Sequence, residues 1–231
     1  MTQIKICGIT NIDDAFCAAA CGADAVGFIF HRPSPRCIAP ARAREIAAAL
    51  PREIVKVGVF VNRDAGEVAQ VAAECGLDLI QLHGDESPEY CRRFSPERLI
   101  KGVFLRTPED LTALDAYDVR AFLADFREPG RYGGTGKRSD WGLAAKLAKD
   151  RPLILAGGLG PDNIGEALAA VSPAAVDVNS GCEIAPGVKD HEKMRQIVAI
   201  VRRAAPPGPK AIFGGLTKGC HPGERRGPVP R

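Results

Sequence analysis

The chain has 231 residues, 45% of them hydrophobic and 6% aromatic, with 31 Lys and Arg against 28 Asp and Glu for a formal net charge of +3. That length can bury one large core, and the excess charge sits in residues 205–231, where Lys210, Lys218, Arg225, Arg226 and Arg231 face only Glu224. A near-neutral body does not support nucleic-acid binding through a global basic field, and no apolar run approaches the roughly 20 residues of a membrane span.

In chain order, β-branched apolar runs fall at about Ile4–Cys7, Ala25–Phe30, Ile54–Val61, Leu79–Leu82, Leu99–Phe104, Ala121–Asp125, Leu153–Ala156 and Ala175–Val178. Between them, stretches near 12–21, 40–50, 65–75, 87–94, 107–115, 140–149, 161–171 and 190–203 carry the i, i+3, i+4 apolar spacing of helices. Pro40, Pro88, Pro108 and Pro161 sit where a first helical turn tolerates a missing N–H, and Gly22 and Gly76 follow helices where a left-handed cap is wanted. Strict alternation with unbroken apolar strands predicts a parallel sheet covered by helices, and eight units close it as a single-domain (β/α)8 TIM barrel over residues 1–203. A doubly wound open sheet is the alternative, disfavoured because Cys7-Gly8-Ile9-Thr10-Asn11 lacks the G-x-G-x-x-G fingerprint. Residues 204–231 are rich in Pro, Gly and basic residues, with too little apolar surface to join a core, and are expected to form a disordered tail.

The eight cysteines, Cys7, Cys17, Cys21, Cys37, Cys75, Cys91, Cys182 and Cys220, are dispersed, without a Cys-x-x-Cys pair or a signal-peptide pattern. A reduced, cytoplasmic protein is expected. Cys17 and Cys21 share a helix face, but with no histidine nearby they read as packing residues, and no metal site is expected.

In such a barrel, active residues come from the C-terminal ends of strands, and phosphate is held by the loops after strands seven and eight. Cys7 ends the first strand at a glycine turn, where its thiol points into a site. Asp125 closes the apolar run Ala121-Phe122-Leu123-Ala124 and would be costly to bury without a task. The Gly-rich stretch from Arg127 to Lys137 then has the length of a lid over substrate. Gly157 and Gly158 after strand seven, and Ser180 and Gly181 after strand eight, let backbone amides approach an anion, so a phosphate-bearing small molecule is the expected ligand. Arg36, after the Pro33-Ser34-Pro35 turn, has the fork for a substrate carboxylate. His83 reads equally as a base, an orienting donor or a support of the Gly84-Asp85 turn.

Together, Lys5-Ile6-Cys7-Gly8-Ile9-Thr10, Gly22-Ala23-Asp24-Ala25-Val26-Gly27-Phe28, Ser34-Pro35-Arg36, Val57-Gly58-Val59-Phe60-Val61-Asn62, Gln81-Leu82-His83-Gly84, Gly133-Gly134-Thr135-Gly136, Asp140-Trp141, Ala156-Gly157-Gly158-Leu159 and Pro186-Gly187-Val188-Lys189-Asp190 resemble the phosphoribosylanthranilate isomerases of tryptophan biosynthesis. The resemblance implies a cofactor-free Amadori rearrangement of N-(5-phosphoribosyl)anthranilate, a phosphoribosyl substrate, by a monomer or homodimer. It also implies Asp125 as the acid that opens the furanose, Cys7 as the base at C2, and Arg36 as the partner of the anthranilate carboxylate. An unperturbed Asp is ionised and an unperturbed Cys mostly thiol at neutral pH, so burial is expected to raise the first and positive charge, from Lys5 on the same strand face, to lower the second. Phe126 and Asn179 depart from the threonine and serine usual in the family. The rivals are the histidine-pathway aldose–ketose isomerase, which pairs two aspartates, and a catalytically silent phosphate-binding barrel.

Overall fold

The structure, a computed structural model, describes residues 1–125, 140–204 and 211–215. Strands β1 (Gln3–Cys7), β2 (Ala25–Ile29), β3 (Val55–Phe60), β4 (Leu79–Leu82), β5 (Leu99–Val103), β6 (Ala121–Ala124), β7 (Leu153–Leu155) and β8 (Ala175–Val178) form a closed barrel in chain order. All eight pairings are parallel, and β8 closes on β1 with Ile4 opposite Val176 and Lys5 opposite Asp177. The helices are α1 (Ile12–Cys21), α2 (Pro40–Ala49), α3 (Ala65–Glu74), α4 (Pro88–Cys91), α5 (Pro108–Ala113), α6 (Trp141–Asp150), α7 (Ile164–Val171) and α8 (His191–Ala204). The alternation read from the sequence is thus the observed architecture.

The period of two along each strand sorts the core into two layers. Ile4 and Ile6 of β1, Val26 and Phe28 of β2 and Val176 and Val178 of β8 face the helices, while Ala25, Val57, Leu79, Ile100, Leu123 and Ile154 fill the barrel. Gln3, Lys5 and Cys7 alternate with the outward isoleucines, so one strand runs a polar ladder from the bottom of the barrel to the end where the strands finish.

Local signals place most helix ends. The Asn11 side chain caps α1 by accepting from the Asp14 N–H at 2.8 Å, and Gly22 ends that helix with φ 93°. Pro40, Pro88 and Pro108 open their helices as expected. Pro161 does not, because Asn163 turns back on the loop before it. Its amide donates to Gly158 O and accepts from Gly160 N, both at 2.9 Å, which delays α7 to Ile164. The expected helix near 87–94 shortens to one turn, and a small antiparallel pair unforeseen in the sequence, β9 (Glu183–Ala185) and β10 (Val188–Lys189), follows β8.

The largest departure concerns the expected tail. Residues 205–210 and 216–231 lie outside the described residues, but Ala211–Gly215 pack against the bottom of the barrel, with Ile212 and Phe213 buried among Ala25, Val55, Ala121 and Ala174. Gln3 grips this segment with one amide: Nε2 donates to Phe213 O at 2.8 Å, and Oε1 accepts from Ile212 N at 2.6 Å and Phe213 N at 2.8 Å. Arg120, just before β6, donates to Ile212 O and Gly214 O. Two apolar residues in a Pro/Gly/basic run suffice to close the lower mouth, so the expectation that nothing after residue 203 joins the core is corrected at this segment.

Candidate active site

Cys7 and Lys5 share the inner face of β1 and are both buried. Lys5 Nζ donates to Asp177 Oδ1 on neighbouring β8 at 2.9 Å. Burial disfavours the Lys5 ammonium, but Asp177 and Cys7 outweigh it, so the lysine pKa is held above its ordinary value. For Cys7, burial is the largest influence and pushes the thiol up; Asp177 adds to this, while Lys5 and Lys189 oppose it. The expected positive charge is therefore present, but in the free site desolvation prevails over it.

Glycine makes the room for this pair. A Cβ at Gly27 of β2 would lie 2.7 Å from Cys7 Sγ and 3.0 Å from Lys5 Cε. Gly27→Ala is expected to displace the thiol while the barrel folds, lowering kcat by up to about 10²-fold for a shift near 1 Å; normal kcat with native circular dichroism would show that the thiol position is not critical.

Asp125 follows β6, its N–H bonded to Val103 O at 3.1 Å, and its Oδ2 lies 3.2 Å from His83 Nε2. His83, left open by the sequence, is thereby brought to the expected acid. Its loop is tied down by buried Lys101, whose Nζ donates to Gly84 O at 2.8 Å, Gly102 O at 3.0 Å and Glu86 Oε2 at 3.0 Å. The expected lid, Arg127–Lys137, lies outside the described residues, as does Phe126.

Arg36 lies over the Cys7-Gly8 turn, where a Cβ at Gly8 would come 3.0 Å from its Cδ. Its Nε and Nη2 donate to the Glu183 carboxylate at 2.9 and 2.7 Å. Lys189 Nζ bonds the same carboxylate at 2.9 Å and Asn179 Oδ1 at 3.0 Å, which gives Asn179 a structural task on the rim. Burial works against the Glu183 anion, but its bonds to Arg36 and Lys189 prevail and lower its pKa. Arg36 is thus a restrained fork rather than a solvated arm.

The glycine loops after β7 and β8 meet one another. Gly157 and Gly158 have φ 92° and 62°, and a Cβ at Gly181 would fall 1.8 Å from Leu159 O, so only glycine permits this approach. Ser180 opens the short turn that carries Gly181. Among the described residues no group of His, Cys, Asp and Glu could hold a metal ion, and no helix is long and apolar enough to cross a membrane.

The family described as N-(5'phosphoribosyl)anthranilate (PRA) isomerase matches residues 4–200. The chain belongs to the phosphoribosylanthranilate isomerase family. It is 53% identical over 203 residues to the N-(5'-phosphoribosyl)anthranilate isomerase of Syntrophus aciditrophicus, covering 88% of each chain. It is 52% identical to that of Acidithiobacillus ferrooxidans, covering 87% of this chain and 98% of the relative. Among solved structures, phosphoribosyl anthranilate isomerase from Thermotoga maritima superposes with a TM-score of 0.81 at 42% identity, covering 88% of this chain and 100% of the other. A phosphoribosyl anthranilate isomerase in complex with reduced 1-(o-carboxyphenylamino)-1-deoxyribulose 5-phosphate gives a TM-score of 0.78 at 38% identity, with the same coverage.

Set within this isomerase family, the sequence reading singled out Cys7, Asp125, Arg36 and the glycine loops as candidates, and the barrel brings all of them to the end where its strands finish. It missed Asp177, Glu183 and Lys189. Asp177 interrupts the apolar run of β8 and could have been flagged on the argument used for Asp125; Glu183 and Lys189 belong to β9 and β10, which carry no apolar periodicity.

Proposed function

We propose that Asp125 as general acid and Cys7 as general base convert N-(5-phosphoribosyl)anthranilate into 1-(2-carboxyphenylamino)-1-deoxyribulose 5-phosphate for tryptophan biosynthesis. One observation carries this reading: a carboxyl and a thiol stand at the ends of β6 and β1, flanking the glycine loops of β7 and β8 at one end of a closed barrel. With the phosphate on the amides of Gly157, Gly158, Ser180 and Gly181, the ribose lies between the two groups. Asp125 gives its proton to the ring oxygen as the C1–O bond breaks and the amine lone pair forms a Schiff base. The Cys7 thiolate then takes the C2 proton, the C2–H electron pair becomes the C1=C2 bond as the C=N pair moves onto nitrogen, and the resulting enolamine tautomerises to the ketone. The substrate nitrogen is the electron sink, so no cofactor is called for, and Lys5 compensates the thiolate as it forms.

The anthranilate carboxylate is assigned to Arg36. Among the described residues Glu183 takes the Nε hydrogen and one on Nη2, leaving three of the five guanidinium hydrogens. Arg36→Met is expected to raise KM and the Kd of the reduced product analogue roughly 10- to 100-fold with a smaller change in kcat, as befits a charge-assisted hydrogen bond of about 1.5–3 kcal/mol. Unchanged KM and Kd would place the carboxylate elsewhere. The free state of every described cysteine supports a reducing compartment, the cytoplasm. The partner is this small molecule and not nucleic acid, and the assembly is a monomer or homodimer.

A further inference from the structure

Cys17 and Cys21 lie one helical turn apart on α1, and their sulfurs are 3.8 Å from one another. Both are free thiols. They pack beside the core, as the sequence reading expects, yet each is only partly buried, on the flank of a helix that turns Asp14, Ala15 and Ala18 inward. The pair therefore presents two adjacent sulfurs at the surface, away from the strand ends that carry Cys7 and Asp125.

Three chemistries suit two neighbouring sulfurs, and the surroundings choose among them. A disulfide would have to draw the sulfurs together to about 2.0 Å and needs an oxidant. A zinc-like cation fits the spacing, since tetrahedral bonds of about 2.3 Å set two sulfurs about 3.8 Å apart, but it wants four ligands and thiolates. Among the described residues no group of three or more His, Cys, Asp and Glu could hold such an ion. Burial first, and then the contact with Cys21, push the Cys17 thiol up to about 11, which opposes the thiolate. Trivalent arsenic avoids both obstacles, because it condenses with neutral thiols and asks the protein for only two.

We propose that Cys17 and Cys21 form a dithiol site for trivalent arsenicals, which close a ring across one turn of α1. With an arylarsine oxide, both S–H bonds and the arsenic–oxygen bond break, and two arsenic–sulfur bonds form. The two hydrogens leave with the oxygen as water. Arsenic stays trivalent throughout, so no oxidant or reductant takes part. The site is independent of the isomerase chemistry.

The test treats the reduced full chain with phenylarsine oxide and then with excess glutathione, and reads the adduct by mass spectrometry. A phenylarsinediyl group is expected to survive glutathione and to leave with 2,3-dimercaptopropanol. The second arsenic–sulfur bond is intramolecular, so Cys17→Ser and Cys21→Ser should each lower retention roughly 10²–10⁴-fold. Cleavage before Asp14 and Asp24 releases the peptide Asp14–Ala23, whose only thiols are these two, and the group is expected on it. An adduct that glutathione strips from the wild-type chain, or one found only on other peptides, would overturn the proposal, as would full retention in either serine variant. Should a variant fail to fold, the position of the group in the wild-type digest decides alone.

Discussion

Cys7→Ala and Asp125→Asn are each expected to collapse turnover while leaving a folded barrel that still binds the reduced product analogue. General acid–base groups contribute roughly 10²–10⁴-fold, and that is the loss expected of each variant in kcat. In the proposed mechanism the two groups serve successive steps on one substrate, so the double variant should lose far less than the product of the single losses. Analogue binding through Arg36 and the glycine loops separates lost chemistry from lost structure: titration calorimetry should give near wild-type Kd values for both single variants. Near-normal turnover in Cys7→Ala would remove the thiol from the mechanism, and loss of analogue binding would show that the substitution had disturbed the fold.

The second large effect is expected at the opposite end of the barrel. Phe213 is buried against the interior residues of the lower mouth, and Phe213→Ala is expected to cost about 3–5 kcal/mol, as for emptying a buried aromatic site. Ending the chain after Arg203 should cost no more than this. It removes Ile212 as well and strips Gln3 and Arg120 of their bonds to the segment, but it also returns the ordering entropy of five residues at roughly 1–2 kcal/mol each. For a chain of this size each kcal/mol lowers Tm by about 2–4 °C. Thermal unfolding should therefore show a clear drop for Phe213→Ala and a drop no larger than that for the truncated chain, with kcat at 25 °C little changed. Equal Tm values would return the segment to the role of a passive tail.

The alternation of strands and helices was legible because each element repeats its own period, and the end of the barrel proposed as catalytic followed from where Cys7, Asp125 and the paired glycines stand relative to strand ends. Residues whose meaning lies in a distant partner were not legible. Lys5 meets Asp177 across the barrel closure, Arg36 meets Glu183 from a hairpin without apolar pattern, and Gln3 meets Phe213 across nearly the whole chain. No window of 11–18 residues contains both members of such a pair. The one trace was Ala211-Ile212-Phe213, an apolar triplet amid Pro, Gly and basic residues. Pro161 failed as a helix start for a related reason: Asn163 bonds backward to the glycine loop, and that competition for the first turn is visible only once the loop is folded.

The most direct measurement is loss of phosphoribosylanthranilate fluorescence on adding the purified full chain, after dialysis against a chelator. First-order decay proportional to enzyme concentration, with formation of 1-(2-carboxyphenylamino)-1-deoxyribulose 5-phosphate, is the expected result. Tight binding of the reduced analogue together with decay no faster than in buffer would contradict it, and would leave a phosphate-binding barrel without catalysis.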